Sequence, residues 1–151
     1  MKLSIRSRDP AWDAEYEVYA DNRVAYRVKT SCEGNEHLIR ILDLRGFEAA
    51  RVYQDRYGVT GECRGRVLLT VERLVGLYNQ MIPAIRSCCF EQCSFLCGDI
   101  KRPEYLLALD GGQICAYPSV NGISVRFIDC PDKPLEVLML ILAIEAIAQY
   151  T

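Results

Sequence analysis

At 151 residues, 50% of them hydrophobic, the chain can bury a core of its own without disulfide or metal staples. Lys and Arg number 18 against 20 Asp and Glu, a formal net charge of −2, and this excludes the broad positive field that nucleic acid selects. The opening Met1-Lys2-Leu3-Ser4-Ile5-Arg6-Ser7-Arg8-Asp9 carries charges where a signal peptide needs an unbroken apolar run. Its eight cysteines are therefore expected to be reduced core residues of a cytoplasmic protein, not a secreted disulfide framework.

In chain order, the first signal is Tyr16–Tyr19 leading through Asp21-Asn22 into Val24–Val28, two half-buried strands around a tight turn. The design repeats with Leu38–Leu42, the turn Asp43-Leu44-Arg45-Gly46 and the strand Ala49–Tyr53. Gly65–Glu72 alternates as a strand, whereas residues 74–82 fit strand or helix equally, and the boundaries across residues 57–95 stay open. A third hairpin follows in Tyr105–Leu109, Asp110-Gly111-Gly112 and Ile114–Tyr117, then a last strand over Ile123–Ile128. Hairpins strung together in this way predict a meandering antiparallel sheet.

From Pro134 to Ala148 the pattern changes to a helix, with Asp132 and Pro134 as start signals. Glu136 and Glu145 are nine residues apart, about 900° of rotation, so they face opposite ways and the helix is apolar all round. Such a helix must be enclosed. Lipid is excluded, because 15 or so residues reach about 23 Å and a hydrocarbon core spans about 30 Å. Enclosure by the preceding strands remains, and it would close the sheet and remove its edges. The expected fold is thus mainly β: one domain over residues 1–151, an antiparallel barrel around its own C-terminal helix.

This arrangement resembles the tubby C-terminal-like superfamily, which includes phospholipid scramblases and the LURP-one-related proteins, bacterial members among them. The resemblance is carried by Leu3-Ser4-Ile5-Arg6 with Trp12-Asp13, the hairpins Tyr16–Val28 and Ile41–Ala50, Cys97-Gly98-Asp99, and the ending Leu138–Glu145. It covers nearly the whole chain by the order of its motifs, while the cysteine-bearing middle departs from the aromatic-rich strands of that group. It implies a binding or scaffold module, not an enzyme, that recognises a lipid head group or a protein partner, with no cofactor and a peripheral membrane association. The head-group-binding residues of tubby have no counterparts here, so none is transferred.

Candidate chemistry is sparse. Arg56, Arg64, Arg66 and Arg73 fall close together in a basic stretch able to bind an anion, although a solvated strand face is the reading that base rates for exposed charge favour, and anionic lipid is expected to bind weakly at most. The cysteines in Cys88–Cys97 carry the alternative, a redox or metal-binding protein. On a strand Cys89, Cys93 and Cys97 share a face but lie about 13 Å apart per four residues, too far for one metal; on a helix they stack one turn apart. His37, the sole histidine, falls in a hairpin loop where a solvated side chain is expected. Asp129 and Asp132 precede the helix and offer a cation only two carboxylates, so helix capping is the simpler role for Asp132.

Overall fold

The computed structural model describes residues 1–33, 36–55, 58–75 and 81–149. Twelve strands and one helix follow in order: β1 (Lys2–Ile5), β2 (Glu15–Ala20), β3 (Arg23–Glu33), β4 (Glu36–Leu42), β5 (Glu48–Asp55), β6 (Gly58–Cys63), β7 (Arg66–Val75), β8 (Met81–Ser87), β9 (Cys93–Asp99), β10 (Glu104–Leu109), β11 (Gly112–Ser119), β12 (Gly122–Ile128) and α1 (Pro134–Gln149). All three expected hairpins are present, and the ambiguous stretch resolves into strand up to Val75 and strand again from Met81. Every ladder is antiparallel, and each strand pairs with its sequence neighbours except at two places. β1 pairs with β12, Leu3 opposite Val125, which brings the two ends of the meander together. β8 and β9 lie side by side without a ladder, leaving one seam in a nearly closed barrel.

The seam has a cause in the sequence. Pro83 in β8 lacks an N–H to donate across it. In β9 the register slips, with Leu107 opposite Phe95 but Leu106 opposite Cys97, so Leu96 is an extra, bulged residue. A bulge and a proline on facing edges are devices that stop edge pairing.

Three of the lower-rim connections are two-residue turns. Asp21-Asn22, Arg64-Gly65 and Asp110-Gly111 all take positive φ at both central residues, the twist that antiparallel hairpins prefer. The upper rim holds the longest of the described connections, the β1–β2 segment.

Inside runs α1, with every residue from Val137 to Ile144 at 0% exposure and Glu145 at 3%. The helix is enclosed as its pattern demands. Val137 N donates to Lys133 O, which makes Lys133 the cap residue and Pro134 the first helical position. Asp132 thus lies one residue outside the capping position assigned to it from sequence.

The helix sits off-centre. It approaches β5, β6 and β7 most closely, where the inward positions include Ala50 and Gly61. On the opposite wall, β1 and β10–β12 point larger side chains inward, among them Leu3, Ile5, Tyr105, Leu107, Ile114 and Phe127. Small residues let backbones approach and large ones fill the wider gap, so one close-packed core forms without a lumen.

Candidate functional site

Because the helix fills the interior, recognition falls to the outer wall and the two rims. Arg56 lies outside the described residues. Arg64 and Arg66 flank the tip of the β6–β7 turn, both exposed. Arg73 stands seven residues further along β7, about 23 Å away at 3.3 Å per residue, near the other rim. The described part of the basic stretch is therefore divided between the two ends of the barrel.

Arg64 and Arg66 do have neighbours that sequence reading did not assemble. Arg51 pairs with Glu62, so Glu48 falls level with Gly65, and Arg27 pairs with Leu42, so Arg23 falls level with Gly46. The turns β2–β3, β4–β5 and β6–β7 therefore share one rim, each two strands or about 10 Å from the next, but they are stepped along the strands: Leu42 also pairs with Glu48, which puts Gly65 level with Arg27, four residues or about 13 Å short of Arg23. Together they present Arg23, Arg45, Arg64 and Arg66 around the exposed side chains of Leu44 (65%), Phe47 (68%) and Val67 (44%). The two acids of this arc are engaged by backbone. Asp21 accepts from Lys2 N at 2.9 Å, and Asp43 Oδ1 accepts from Arg45 N and Phe47 N at 2.9 and 3.0 Å, holding Leu44 and Phe47 at the tip. Higher on the wall Arg40 and Arg51 both bond Glu48, whose carboxyl is pushed up by burial but held lower overall by these two guanidiniums. The missed signal was chemical: a turn written Asp-Leu-Arg-Gly-Phe spends two large apolar residues where polar ones normally stand.

The thiol segment differs from expectation in two respects. The bulge at Leu96 reverses the alternation, so Cys93 packs against the core whereas Cys97 is exposed on the outer face, and the three cysteines do not share one face. Nor are the eight cysteines core residues: Cys32, Cys88 and Cys97 are exposed and the other five are half-buried, because most occupy rim or outward positions. Cys93 is the most protected electrostatically, its thiol raised to about 12 by burial and then by the neighbouring charges of Cys89 and Asp110. Cys89 is raised by burial, its sulfur 3.1 Å from Ser87 Oγ, while Lys133 Nζ donates to its carbonyl at 2.9 Å. Among the described residues no three His, Cys, Asp or Glu side chains converge as a metal-ligand set. Cys97 does border a shallow cleft of about 510 Å³ on the outer wall, with Asp99, Arg102, Glu104, Leu106 and Tyr117 around it.

At the upper rim the solvated His37 expected from sequence is instead 5% exposed. It falls on the inward phase of β4, since Ile39 and Ile41 two and four residues on are core, and its ring lies 4.5 Å from that of Trp12. Burial lowers its pKa, with Asp9 opposing. Beside it the β1–β2 segment folds over the mouth of the barrel. Ala11 is 1% exposed, the Tyr16 hydroxyl donates to Pro10 O at 2.6 Å, and Ser7 Oγ bonds Asp13 Oδ2. Under this cover lies Glu145, whose Oε1 accepts from the Tyr105 hydroxyl at 3.4 Å.

No helix among the described residues is long and apolar enough to cross a membrane. No protein-family model matches the chain, and no match was found among curated proteins or solved structures.

Proposed function

We propose that this protein is a non-enzymatic docking module that sets its lower rim against an anionic bilayer surface. The observation that carries this reading is the composition of three neighbouring hairpin tips on one rim, four exposed arginines together with exposed Leu44, Phe47 and Val67. Each basic residue contributes about 1 kcal/mol near an anionic leaflet, and an exposed Phe or Leu that becomes fully buried contributes about 1.5–3 kcal/mol. The sum supports reversible, peripheral attachment on a cytoplasmic face, in keeping with the weak binding expected from the low net charge. Resemblance to tubby C-terminal-like proteins points in the same direction as an analogy of fold. Apolar tips favour lipid over a soluble anion, because head-group chemistry alone gives Leu44 and Phe47 nothing to enter. The rival redox or metal reading of Cys88–Cys97 is weakened by the opposed faces of Cys93 and Cys97.

Co-sedimentation with vesicles of phosphatidylcholine alone, and with phosphatidylserine added, tests the proposal. Binding is expected only to the second, falling with salt, and lost both in Arg64→Ala/Arg66→Ala and in Leu44→Ser/Phe47→Ser with thermal stability kept. Equal binding to neutral vesicles, or none to either, would sink it. Retention of a defined protein by the same rim, with no vesicle binding, would move the assignment to a protein partner.

A further inference from the structure

From Val137 to Ala148 every helix side chain is apolar except Glu145, and Glu145 lies under the β1–β2 segment that folds over the upper mouth. Among the described residues, the charged and titratable neighbours that act on this corner can be named. From the covering segment come Asp9 and Asp13, from β2 Tyr16, from β4 His37 and from β10 Tyr105. Together with Glu145 the corner holds three carboxyls, and its one histidine is disfavoured as a cation by its own burial. One oxygen of Asp9, Oδ1, is buried and finds no hydrogen-bond partner among the described residues. Glu145 and Asp9 meet at an apolar helix end, Asp13 acts on Asp9 from the exposed side, and the unpartnered Asp9 oxygen adds to a corner whose closed form favours a held proton.

We propose that the β1–β2 segment, residues 6–14, is a proton-dependent lid, held over the upper mouth by the neutral form of Glu145 and released when that carboxyl ionises against Asp9. Closure is fastened by contacts that do not titrate in the neutral range: the Tyr16 hydroxyl to Pro10 O, and the Thr30 hydroxyl of β3 to Asp13 O at 2.6 Å. Ionisation sets a negative charge against that of Asp9 at low effective dielectric, and the loop is the element free to move away, since α1 is enclosed by strands. Release would uncover the end of α1 and the apolar lining contributed by Ala11 and Tyr16. Glu145 sits at about 8, raised first by burial and then by Asp9, with the Tyr105 hydrogen bond opposing.

The chain supplies its own reporter, because its single tryptophan, Trp12, lies in the lid at 47% exposure. Trp12 emission of the full chain, followed from pH 6 to 9.5, is expected to shift once with a midpoint near 8. Glu145→Gln should hold the low-pH emission throughout, and Asp9→Asn should move the midpoint down by removing a like charge. Cys32→Ser, across the ladder from His37, should leave the transition in place. Proteolysis within residues 6–14 should accelerate over the same pH interval in the parent but not in Glu145→Gln. A flat parent titration, or a transition unchanged in Glu145→Gln, overturns the lid; so does a transition abolished by Cys32→Ser.

Discussion

Gly61 offers the sharpest test of how α1 is seated. A Cβ at this position would lie 2.9 Å from Leu69 Cγ, 3.0 Å from Leu69 Cδ1 and 3.1 Å from Met139 Sδ. Comfortable carbon contacts are about 3.5–4.0 Å, so both side chains would have to retreat by roughly half an ångström or more. Neither has room, Leu69 being 1% exposed and Met139 0%. Gly61→Ala should therefore carry an overpacking cost of about 1–3 kcal/mol, offset by about 0.4–1 kcal/mol from the stiffer unfolded chain. The net loss is about 1–2 kcal/mol, or a fall in Tm of about 2–8 °C for a domain of this length. Urea unfolding of the parent, Gly61→Ala, Met139→Ala and the double variant measures both the loss and the coupling. The two changes should be non-additive by at least about 0.5 kcal/mol, because truncating Met139 vacates the space that the added methyl group needs. A Gly61→Ala protein as stable as its parent, or strict additivity with Met139→Ala, would show that the helix is not seated on β6 as described.

Three further outcomes are expected. Leu140→Ala should cost about 3–5 kcal/mol by urea unfolding, and Leu140→Asp should leave no folded soluble protein, because position 140 is wholly enclosed. Thiol labelling of the native protein, read by mass spectrometry, should modify exposed Cys88 and Cys97 quickly and Cys93 slowly, with all eight reacting after denaturation; fast modification of Cys93 contradicts its placement. Folded-state protonation of Glu145 is raised above its unfolded value, so its contribution is fully present below about pH 4.5 and is lost as pH climbs towards 8. Between pH 5 and 7 this amounts to about 3 kcal/mol, and Glu145→Gln should flatten that part of the urea-midpoint profile; an unchanged slope would place the cause elsewhere.

The barrel and its central helix were legible because they rest on periodicity. Residues 134–148 lack a polar stripe, and an apolar surface too short for a bilayer leaves enclosure as the only solution, whatever the details of the strands. The hairpins at Asp21-Asn22 and Asp110-Gly111 were equally plain, since few residues tolerate positive φ. Local patterns lose their force where alternation is broken. Leu96 is one inserted residue, yet it turns Cys97 outward while Cys93 faces in, and only the ladder with β10 reveals the slip. His37 fails for a related reason: its neighbours Glu33-Gly34-Asn35-Glu36 look like solvent, while its phase within β4 points it at the core.

The candidate surface was legible only in fragments, and the physical reason is that a rim is assembled from residues remote in sequence. Arg64 and Arg66 were visible as charges, but proximity along the chain grouped them with Arg73, which a single strand carries about 23 Å away. Their actual companions, Arg23 and Arg45, are brought to the same rim by strand order and register, a quantity that depends on every bulge between β2 and β7. Leu44 and Phe47 gain significance in the same way. Alone, each is an exposed apolar residue of the kind every surface contains; on one rim with four exposed arginines, they combine charge with apolar side chains, the pairing on which the proposed lipid docking rests. A function located on such an arc is written in register rather than in motif, so substitutions that shift a bulge, such as deletion of one residue at Leu68, should disperse the arc while leaving every rim residue in the sequence.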